Sequence, residues 1–192
     1  MKALAAAVEA LARVFLAVVF PTRFTGLEHV PEEGAFILCA NHVSALDPVV
    51  ILLRLRRNIH FMAKKELFEN KFVASALRSK GAFPVDRGHA DLGAIRESLR
   101  VLREGEGLGI FPQGTRSEEN EHMEMHSGAA MIAQRSGAPV IPVYIDGPYR
   151  KFRKTAVRVG QPVELGVFGG KRDSETIRKV TREIDRSIWS MK

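Results

Sequence analysis

A histidine and an aspartate five residues apart, His42 and Asp47, stand in the segment 41–48 (NHVSALDP), directly after the apolar run 35–40 (AFILCA). The run predicts a buried strand, and polar groups at the carboxyl ends of strands in open α/β sheets are commonly functional. A neutral imidazole can take a proton from an alcohol near neutral pH, and a carboxylate on its other nitrogen fixes the tautomer and stabilises the imidazolium. His42 is therefore a candidate general base, and Asp47 is the candidate residue that orients it.

The same segment also has a purely structural interpretation. In that interpretation His42 bonds a backbone carbonyl, and Asp47 caps a helix that starts at Pro48, a position where proline is favoured. The segment alone favours neither interpretation, so the choice depends on the rest of the chain.

Two further segments bring an arginine to the end of an apolar run. In 111–117 (FPQGTRS), Gly114 lets the backbone approach a ligand closely, and the planar fork of Arg116 can bind phosphate through two contacts. The segment 81–87 (GAFPVDR) places Arg87 in a similar way. An oxyanion or a phosphate suits the first of these turns, although an ordinary surface turn explains it too.

The elements that must position these residues follow from the hydrophobic pattern after Pro21. Short apolar runs alternate with longer amphipathic stretches, which predicts an α/β sandwich with a largely buried sheet. A helix is predicted between Asp91 and Gly105, and a final helix is predicted with Ser174 as its cap. The predicted strands are 35–40, 59–63, 81–85, 108–111, 140–145 and 156–159.

Residues 1–20 are apolar except for Lys2, Glu9 and Arg13, which fall on one side of a helix at about 100° per residue. This pattern predicts a helix that lies in the plane of a lipid interface with its apolar side down. Packing against the domain and crossing the bilayer are the alternatives. A cleaved signal peptide is disfavoured, because no small-x-small cleavage site follows the apolar run. The opposite face is marked by Leu4, Val8, Leu11, Phe15 and Val18.

Composition limits the class of protein. With 192 residues, 45% hydrophobic and 27% charged, the chain fits one globular domain. A net charge of +7 favours anionic partners, which include nucleic acid, anionic lipid headgroups and phosphorylated small molecules. Nucleic acid lacks support, because aromatic residues make up only 7% and no nucleic-acid motif is present. The single cysteine, Cys39, cannot form an intramolecular disulfide, so a cytosolic face is the default expectation.

Taken together, in this order and spacing, the segments resemble the glycerolipid acyltransferase family, and specifically its 1-acylglycerol-3-phosphate acyltransferase branch. The resemblance covers nearly the whole chain and implies the single-domain α/β sandwich of that family, a mixed sheet flanked by helices. We expect residues 1–20 to form a membrane-associated helix and residues 21–192 to form the acyltransferase domain. The matching blocks are GLEHVP at 26–31, NHVSALDP, AKKELF at 63–68, GAFPVDR, FPQGTRS, Gly128 and VIPVYI at 140–145.

The resemblance also implies roles for individual residues. His42 corresponds to the catalytic base and Asp47 to its partner. Arg87, Gln113, Gly114, Thr115 and Arg116 correspond to the acceptor-binding residues, with the arginines as phosphate contacts.

The implied reaction is transfer of a fatty acyl group from acyl-CoA or acyl-carrier protein to the sn-2 hydroxyl of 1-acylglycerol 3-phosphate, giving phosphatidic acid in phospholipid biosynthesis. The expected partners are these substrates and a phospholipid surface, with no nucleic acid, no metal and no cofactor beyond the donor. The expected location is the cytoplasmic face of the cell membrane, with peripheral or monotopic attachment. The alternatives are a relative with another acceptor, glycerol 3-phosphate or a lysophospholipid, and a non-catalytic lipid- or phosphate-binding protein.

Two departures from the family pattern bear on these expectations. Gln113 stands where the family usually has glutamate, and an amide cannot carry negative charge or act as a base. The loop 117–126 (SEENEHMEMH) is acidic where the family tends to be glycine-containing and more basic. We interpret it as a solvated flap, since His122 and His126 lack a convincing third ligand for a metal site.

Overall fold

The computed structural model describes residues 2–86, 91–117, 120–168 and 173–192, and in the first helix it describes the backbone but not the side chains of residues 2–9 and 12. In these residues one mixed sheet has the strand order β1-β7-β6-β2-β5-β3-β4. The strands are β1 (Thr22–Thr25), β2 (Phe36–Ala40), β3 (Ile59–Lys64), β4 (Phe83–Val85), β5 (Gly107–Ile110), β6 (Val140–Ile145) and β7 (Thr155–Val159). The helices are α1 (Lys2–Val19), α2 (Asp47–Arg54), α3 (Lys71–Ser79), α4 (Leu92–Arg103), α5 (Gly128–Ser136) and α6 (Ser174–Trp189).

The centre of the sheet is parallel. Strand β2 pairs in parallel with β5 on one side and β6 on the other, and β3 and β4 continue the parallel arrangement beyond β5. Among the strands that the structure describes, β6 and β7 form the one antiparallel pair, and a short connection without a helix joins them. The carboxyl ends of β2 to β6 therefore meet at one edge of the sheet, which we call the carboxyl edge.

Helices cover both faces of the sheet. Helices α4, α5 and α6 pack together over one face, around buried residues such as Leu108, Ile132 and Val180. Ile51 of α2 packs on the other face with Phe36 and other strand residues. Every residue of β2 is buried, as expected for a central strand covered on both sides. The predicted α/β sandwich with a largely buried sheet is confirmed.

Five of the six predicted strands agree with the observed bounds to within one residue. Three other differences have a physical reason. Strand β1 was not predicted, because two of its four residues are exposed, three are polar, and they carry no apolar run. The strand predicted over 81–85 begins at Phe83, since Gly81 has a φ of 75° and belongs to the turn after α3. The cap of α6 is Asp173, which accepts from the Thr176 N–H at 2.8 Å, so Ser174 as the cap was wrong.

Helix α1 precedes β1, contacts α2 through Arg13, and is largely exposed in its described second half. Arg13 donates to the Leu53 carbonyl at 2.9 Å. The exposed apolar side chains form one stripe at helical spacing. They are Leu11, Val14, Phe15 and Val18. Among the residues that the structure describes, no helix is both long enough and apolar enough to cross a membrane.

Candidate active site

The loop after β2 places His42 at the carboxyl edge, in the middle of the sheet. Strand β2 ends at Ala40, and the two residues that follow are almost completely buried, His42 at 8% exposure. Residues 111–117 follow the neighbouring strand β5, so the two motif segments emerge side by side. The parallel topology therefore brings together two segments that are about seventy residues apart in the chain.

The Asp47 carboxylate binds the Nδ1 side of the His42 imidazole. Its Oδ2 atom lies 2.7 Å from His42 Nδ1 and accepts the backbone N–H groups of Val43 and Ser44, both at 2.8 Å. Asp47 is fully buried, and a carboxylate oxygen that accepts three N–H groups has no proton to offer. The neutral imidazole therefore carries its proton on Nδ1, which leaves the Nε2 lone pair available to take a proton from an alcohol.

The helix-cap interpretation of Asp47 does not fit this geometry. Helix α2 begins at Asp47 itself, its cap position is Leu46, and no side chain caps it. The Asp47 side chain instead folds back over the turn 42–44. His42 bonds this carboxylate and not a backbone carbonyl.

The FPQGTRS turn fixes the backbone of His42. The Gln113 Oε1 atom accepts the His42 N–H at 2.9 Å, and the Ser117 N–H donates to the His42 carbonyl at 2.8 Å. The ring of Phe111 stacks on the imidazole with the centroids 4.0 Å apart. The imidazole is thus constrained by its backbone, by one ring face and by Nδ1 before any substrate binds.

A buried asparagine network braces the loop from the other side. Asn41 donates to Asn120 Oδ1 and accepts the Ile145 N–H at 2.7 Å, and Asn120 donates to the Tyr144 hydroxyl at 2.8 Å. Asn120 lies in the loop 117–126 that we expected to be a solvated flap, and this was wrong for Asn120 and for Met125, which packs in the core. The acidic neighbours in the sequence gave no signal of this anchoring.

The remaining predicted site residues are distributed around this centre. Gly114 has a φ of 69°, so a residue with a Cβ would be strained at this turn. Thr115 and Arg116 are exposed, and in the described part of the chain Arg116 has no hydrogen-bond or ion-pair partner. Gln113 is 3% exposed and contacts the His42 backbone. Arg87 lies outside the described residues.

Comparison with known proteins identifies the family. The model of the acyltransferase family matches residues 21–146, which make up about two thirds of the chain and contain every motif block named above. The chain belongs to the acyltransferase family. This confirms the membership that the ordered motifs predicted, and His42 and Asp47 lie within the matched range.

Several relatives of this acyltransferase carry the same name. The 1-acyl-sn-glycerol-3-phosphate acyltransferase of Bacillus subtilis is 34% identical over 167 residues, which cover 84% of this chain and 83% of the relative. The enzyme of that name from Streptococcus pneumoniae is 31% identical over a stretch that covers 80% of this chain and 59% of the relative. The one from Borreliella burgdorferi is 29% identical, and the match covers 69% of this chain and 54% of the relative.

A solved structure is similar over almost the whole chain. It is the crystal structure of the 1-acyl-sn-glycerophosphate (LPA) acyltransferase PlsC from Thermotoga maritima, with a TM-score of 0.71 and 27% sequence identity. The match covers 95% of this acyltransferase and 76% of the other chain. The mixed sheet with helices on both faces is therefore the fold of a known acyltransferase.

A glutamine in place of the family glutamate fits the contact that position 113 makes in this acyltransferase. The carbonyl oxygen of the amide is enough to accept the His42 N–H, and the Nε2 atom is buried without a hydrogen-bond partner among the described residues. The contact with the His42 backbone therefore needs an acceptor and not a negative charge. A direct contact of Gln113 with the acceptor stays a prediction.

Tyr149 was not identified from the sequence, although it lies next to the catalytic candidates. Its hydroxyl and the Asp47 Oδ1 atom are both buried, and in the described part of the chain neither has a hydrogen-bond partner outside this pair. Burial, and then the negative charge of Asp47 beside it, raise the pKa of Tyr149. The tyrosine therefore remains a neutral phenol that closes the buried side of the Asp47 carboxylate.

The histidines of the loop 117–126 contact other groups. His122 lies 2.8 Å from Asp185 and against the edge of the Trp189 ring, and the His126 ring lies over Gly114. In the residues that the structure covers, no cluster of three or more His, Cys, Asp or Glu side chains could hold a metal ion.

Cys39 is expected to be inert toward alkylation in the folded protein. It is fully buried in β2, and burial raises the pKa of its thiol to about 12. Because only the thiolate is a good nucleophile, iodoacetamide at mildly alkaline pH should leave the folded chain unmodified and label it completely in denaturant. Mass spectrometry of both samples measures this. Fast labelling of the folded chain, with loss of acyl transfer, would contradict the assignment of Cys39 to the core.

Proposed function

We propose that this acyltransferase transfers a fatty acyl group from an acyl-CoA or acyl-carrier-protein thioester to the sn-2 hydroxyl of 1-acylglycerol 3-phosphate, forming phosphatidic acid. The observation that carries the proposal is the placement of His42, with Nδ1 bound by a buried carboxylate and Nε2 available at the carboxyl edge. The names of the relatives supply the acceptor. Their reaction needs a base for an alcohol, and this geometry provides one.

The reaction proceeds by direct attack. His42 Nε2 takes the proton of the sn-2 hydroxyl as its oxygen attacks the thioester carbonyl, and the proton passes to the departing thiolate when the tetrahedral intermediate collapses. Asp47 stabilises the imidazolium that forms between these steps. No acyl-enzyme is needed, since a thioester is already activated.

Arg116 is the best-placed residue for the acceptor phosphate. It is exposed, has no partner among the described residues, and follows the same turn that holds the His42 backbone. The guanidinium can make two parallel hydrogen bonds to a phosphomonoester. Thr115 and Gly114 place hydroxyl and backbone groups beside it, and Arg87 is proposed as a second contact to the phosphate.

Replacing Arg116 with alanine is expected to raise the KM for 1-acylglycerol 3-phosphate about tenfold to a hundredfold, because a hydrogen bond to a charged group is lost. The kcat should change less, since His42 and Asp47 are untouched. Initial rates over a range of acceptor concentrations separate the two constants. Arg116→Lys keeps the charge but not the fork and should give an intermediate KM. An unchanged KM in both variants would rule out Arg116 as a phosphate contact.

The proposed location is the cytoplasmic face of the membrane, with α1 lying in the lipid interface. The stripe formed by Leu11, Val14, Phe15 and Val18 is exposed, although burying such side chains is favourable. Phe15→Asp is expected to lower binding to phospholipid vesicles in a sedimentation assay. Equal binding by the substituted and unmodified chains would contradict the role of α1.

A panel of acceptors tests the proposed reaction. The purified chain is incubated with acyl-CoA or acyl-carrier-protein thioester and, separately, with 1-acylglycerol 3-phosphate, glycerol 3-phosphate and a lysophosphatidylcholine. Free thiol and lipid products are measured together. The proposal predicts release of thiol mainly with 1-acylglycerol 3-phosphate. A preference for either other acceptor would replace the substrate, and no transfer with any of them would leave a binding protein as the better account.

A further inference from the structure

A short loop between β6 and β7 combines features that the acyl-transfer chemistry does not use. Residues 150–154 read RKFRK, and all five are exposed. Arg150, Lys151, Arg153 and Lys154 have no ion-pair or hydrogen-bonded carboxylate partner in the described part of the chain. We call residues 150–154 the basic loop. Charges spread over the surface are enough to keep a protein soluble. Four unpaired cations clustered around one aromatic ring therefore require another explanation.

The aromatic ring at the centre of the loop is held away from the protein. The side chain of Phe152 is 72% exposed, and its backbone has a φ of 60°, in the left-handed region that bulky residues rarely adopt. The Arg153 N–H donates to the Arg150 carbonyl at 3.1 Å and closes the turn that presents the ring. Phe152 thus combines an unfavourable backbone conformation with an exposed phenyl ring. Strain of this kind that brings no gain in packing indicates a functional constraint.

The position of the loop relates it to the active site and to α1. It follows β6 at the carboxyl edge, and β6 is the strand next to β2, which carries His42. The Phe152 N–H donates to the Val19 carbonyl at 2.7 Å, so the loop is bonded to the last turn of α1, where Phe15 and Val18 are also exposed. The ring, the cations and the apolar stripe of α1 are thus neighbours beside the site.

We propose that the basic loop is a contact for anionic phospholipid bilayers, with the Phe152 ring inserted at the acyl boundary and the four cations bound to headgroup phosphates. An aromatic ring inserts favourably at this depth, and each lysine or arginine near an anionic leaflet adds to the attraction. The inference rests on the proposed membrane location and deepens it. The loop makes binding selective for anionic lipid and turns the edge that carries His42 toward the surface where a lipid acceptor resides.

An acidic protein, such as a carrier protein, would also be attracted by the cations. The exposed phenyl ring and the neighbouring apolar stripe of α1 favour the bilayer, because a charge-steered protein contact does not require either of them. The carrier-protein interpretation is therefore an outcome that the experiment must separate.

The most discriminating variant is Phe152→Gly. Glycine adopts a positive φ without strain, so the melting temperature should stay unchanged or rise. Binding to mixed phosphatidylcholine–phosphatidylglycerol vesicles should nevertheless weaken about tenfold, because the buried phenyl ring is lost. If Phe152 had only a structural role, the substitution would lower the melting temperature and leave vesicle binding unchanged.

A charge-matched pair of double variants tests the cations. Arg150→Gln with Arg153→Gln should weaken binding to anionic vesicles by about fivefold for each cation and make it less sensitive to salt. Arg56→Gln with Arg103→Gln removes the same charge from exposed positions at the opposite edge of the sheet and should change binding little. Neither pair should affect the weak binding to vesicles of phosphatidylcholine alone.

Vesicle binding is measured without turnover, so this result does not depend on the proposed reaction. Turnover with a short-chain, water-soluble acceptor and acyl-CoA is measured on the same variants and should remain at the unmodified level. Unchanged vesicle binding in both Phe152→Gly and the arginine pair would overturn the proposal. The proposal would also be overturned if the variants lost only turnover with the acyl-carrier-protein donor, because the loop would then bind the donor and not the bilayer.

Discussion

Replacing His42 with alanine is expected to lower kcat for acyl transfer by about 10²- to 10⁴-fold, because the group that accepts the proton of the acceptor hydroxyl is removed. The bonds from Ser117 N to the His42 carbonyl and from His42 N to Gln113 involve only the backbone at position 42, so they survive the substitution. The fold should therefore remain intact. Initial rates at saturating donor and acceptor, with circular dichroism on the same samples, measure both parts.

His42→Asn is the matched control for this variant. The asparagine amide can donate to Asp47 Oδ2 as His42 Nδ1 does, but it has no basic nitrogen in place of Nε2. It should be as inactive as the alanine variant and better folded. Activity retained by His42→Asn would show that position 42 only anchors the loop. Activity retained by His42→Ala would exclude His42 as the base.

Replacing Asp47 with asparagine is expected to lower kcat by about 10²-fold or more while the chain stays folded. The three N–H groups at Asp47 Oδ2 can all be accepted by the asparagine oxygen, and its amide nitrogen then occupies the position of Oδ1 in a carboxylate that lies beside Tyr149. Shape and hydrogen bonds are preserved. Only the negative charge is lost, and this charge stabilises the imidazolium during proton transfer.

Asp47→Ala separates the structural role from the electrostatic one. It leaves the buried N–H groups of Val43 and Ser44 without an acceptor, at a cost of about 1–3 kcal/mol for each group. This variant should melt at a clearly lower temperature than Asp47→Asn. If Asp47→Asn is folded and as fast as the unmodified chain, the carboxylate does not take part in the chemistry.

Much of this architecture could be predicted from hydrophobic runs. The run over 140–145 coincides with β6, and the caps and stops around α4 fall where Asp91 and Gly105 predicted them. Buried central strands give this strong signal because both of their faces are apolar. Strand β1 gave none, since an edge strand with half-exposed residues does not need apolar side chains.

The sequence predicted which residues form the site better than it predicted the contacts between them. The spacing of His42 and Asp47 made their hydrogen bond one of two interpretations, and the structure shows the bond across the tight turn that the two residues bracket. Asn120 and Tyr149 could not be predicted, since Asn41 and Asp47, the residues beside which they lie, are 79 and 102 residues away, and their proximity depends on which strands are neighbours. The contact of Gln113 with the His42 backbone has the same origin, in the pairing of β2 with β5.

The most direct measurement traces a labelled acyl chain. The unmodified chain and His42→Ala are each incubated with 1-acylglycerol 3-phosphate and a ¹³C-labelled acyl thioester, and the phosphatidic acid is cleaved by a phospholipase specific for the sn-2 ester before mass spectrometry. The account predicts labelled fatty acid released from the product of the unmodified chain and almost none from His42→Ala. Label that stays on the thioester with the unmodified chain, or equal labelled product from both proteins, would contradict it.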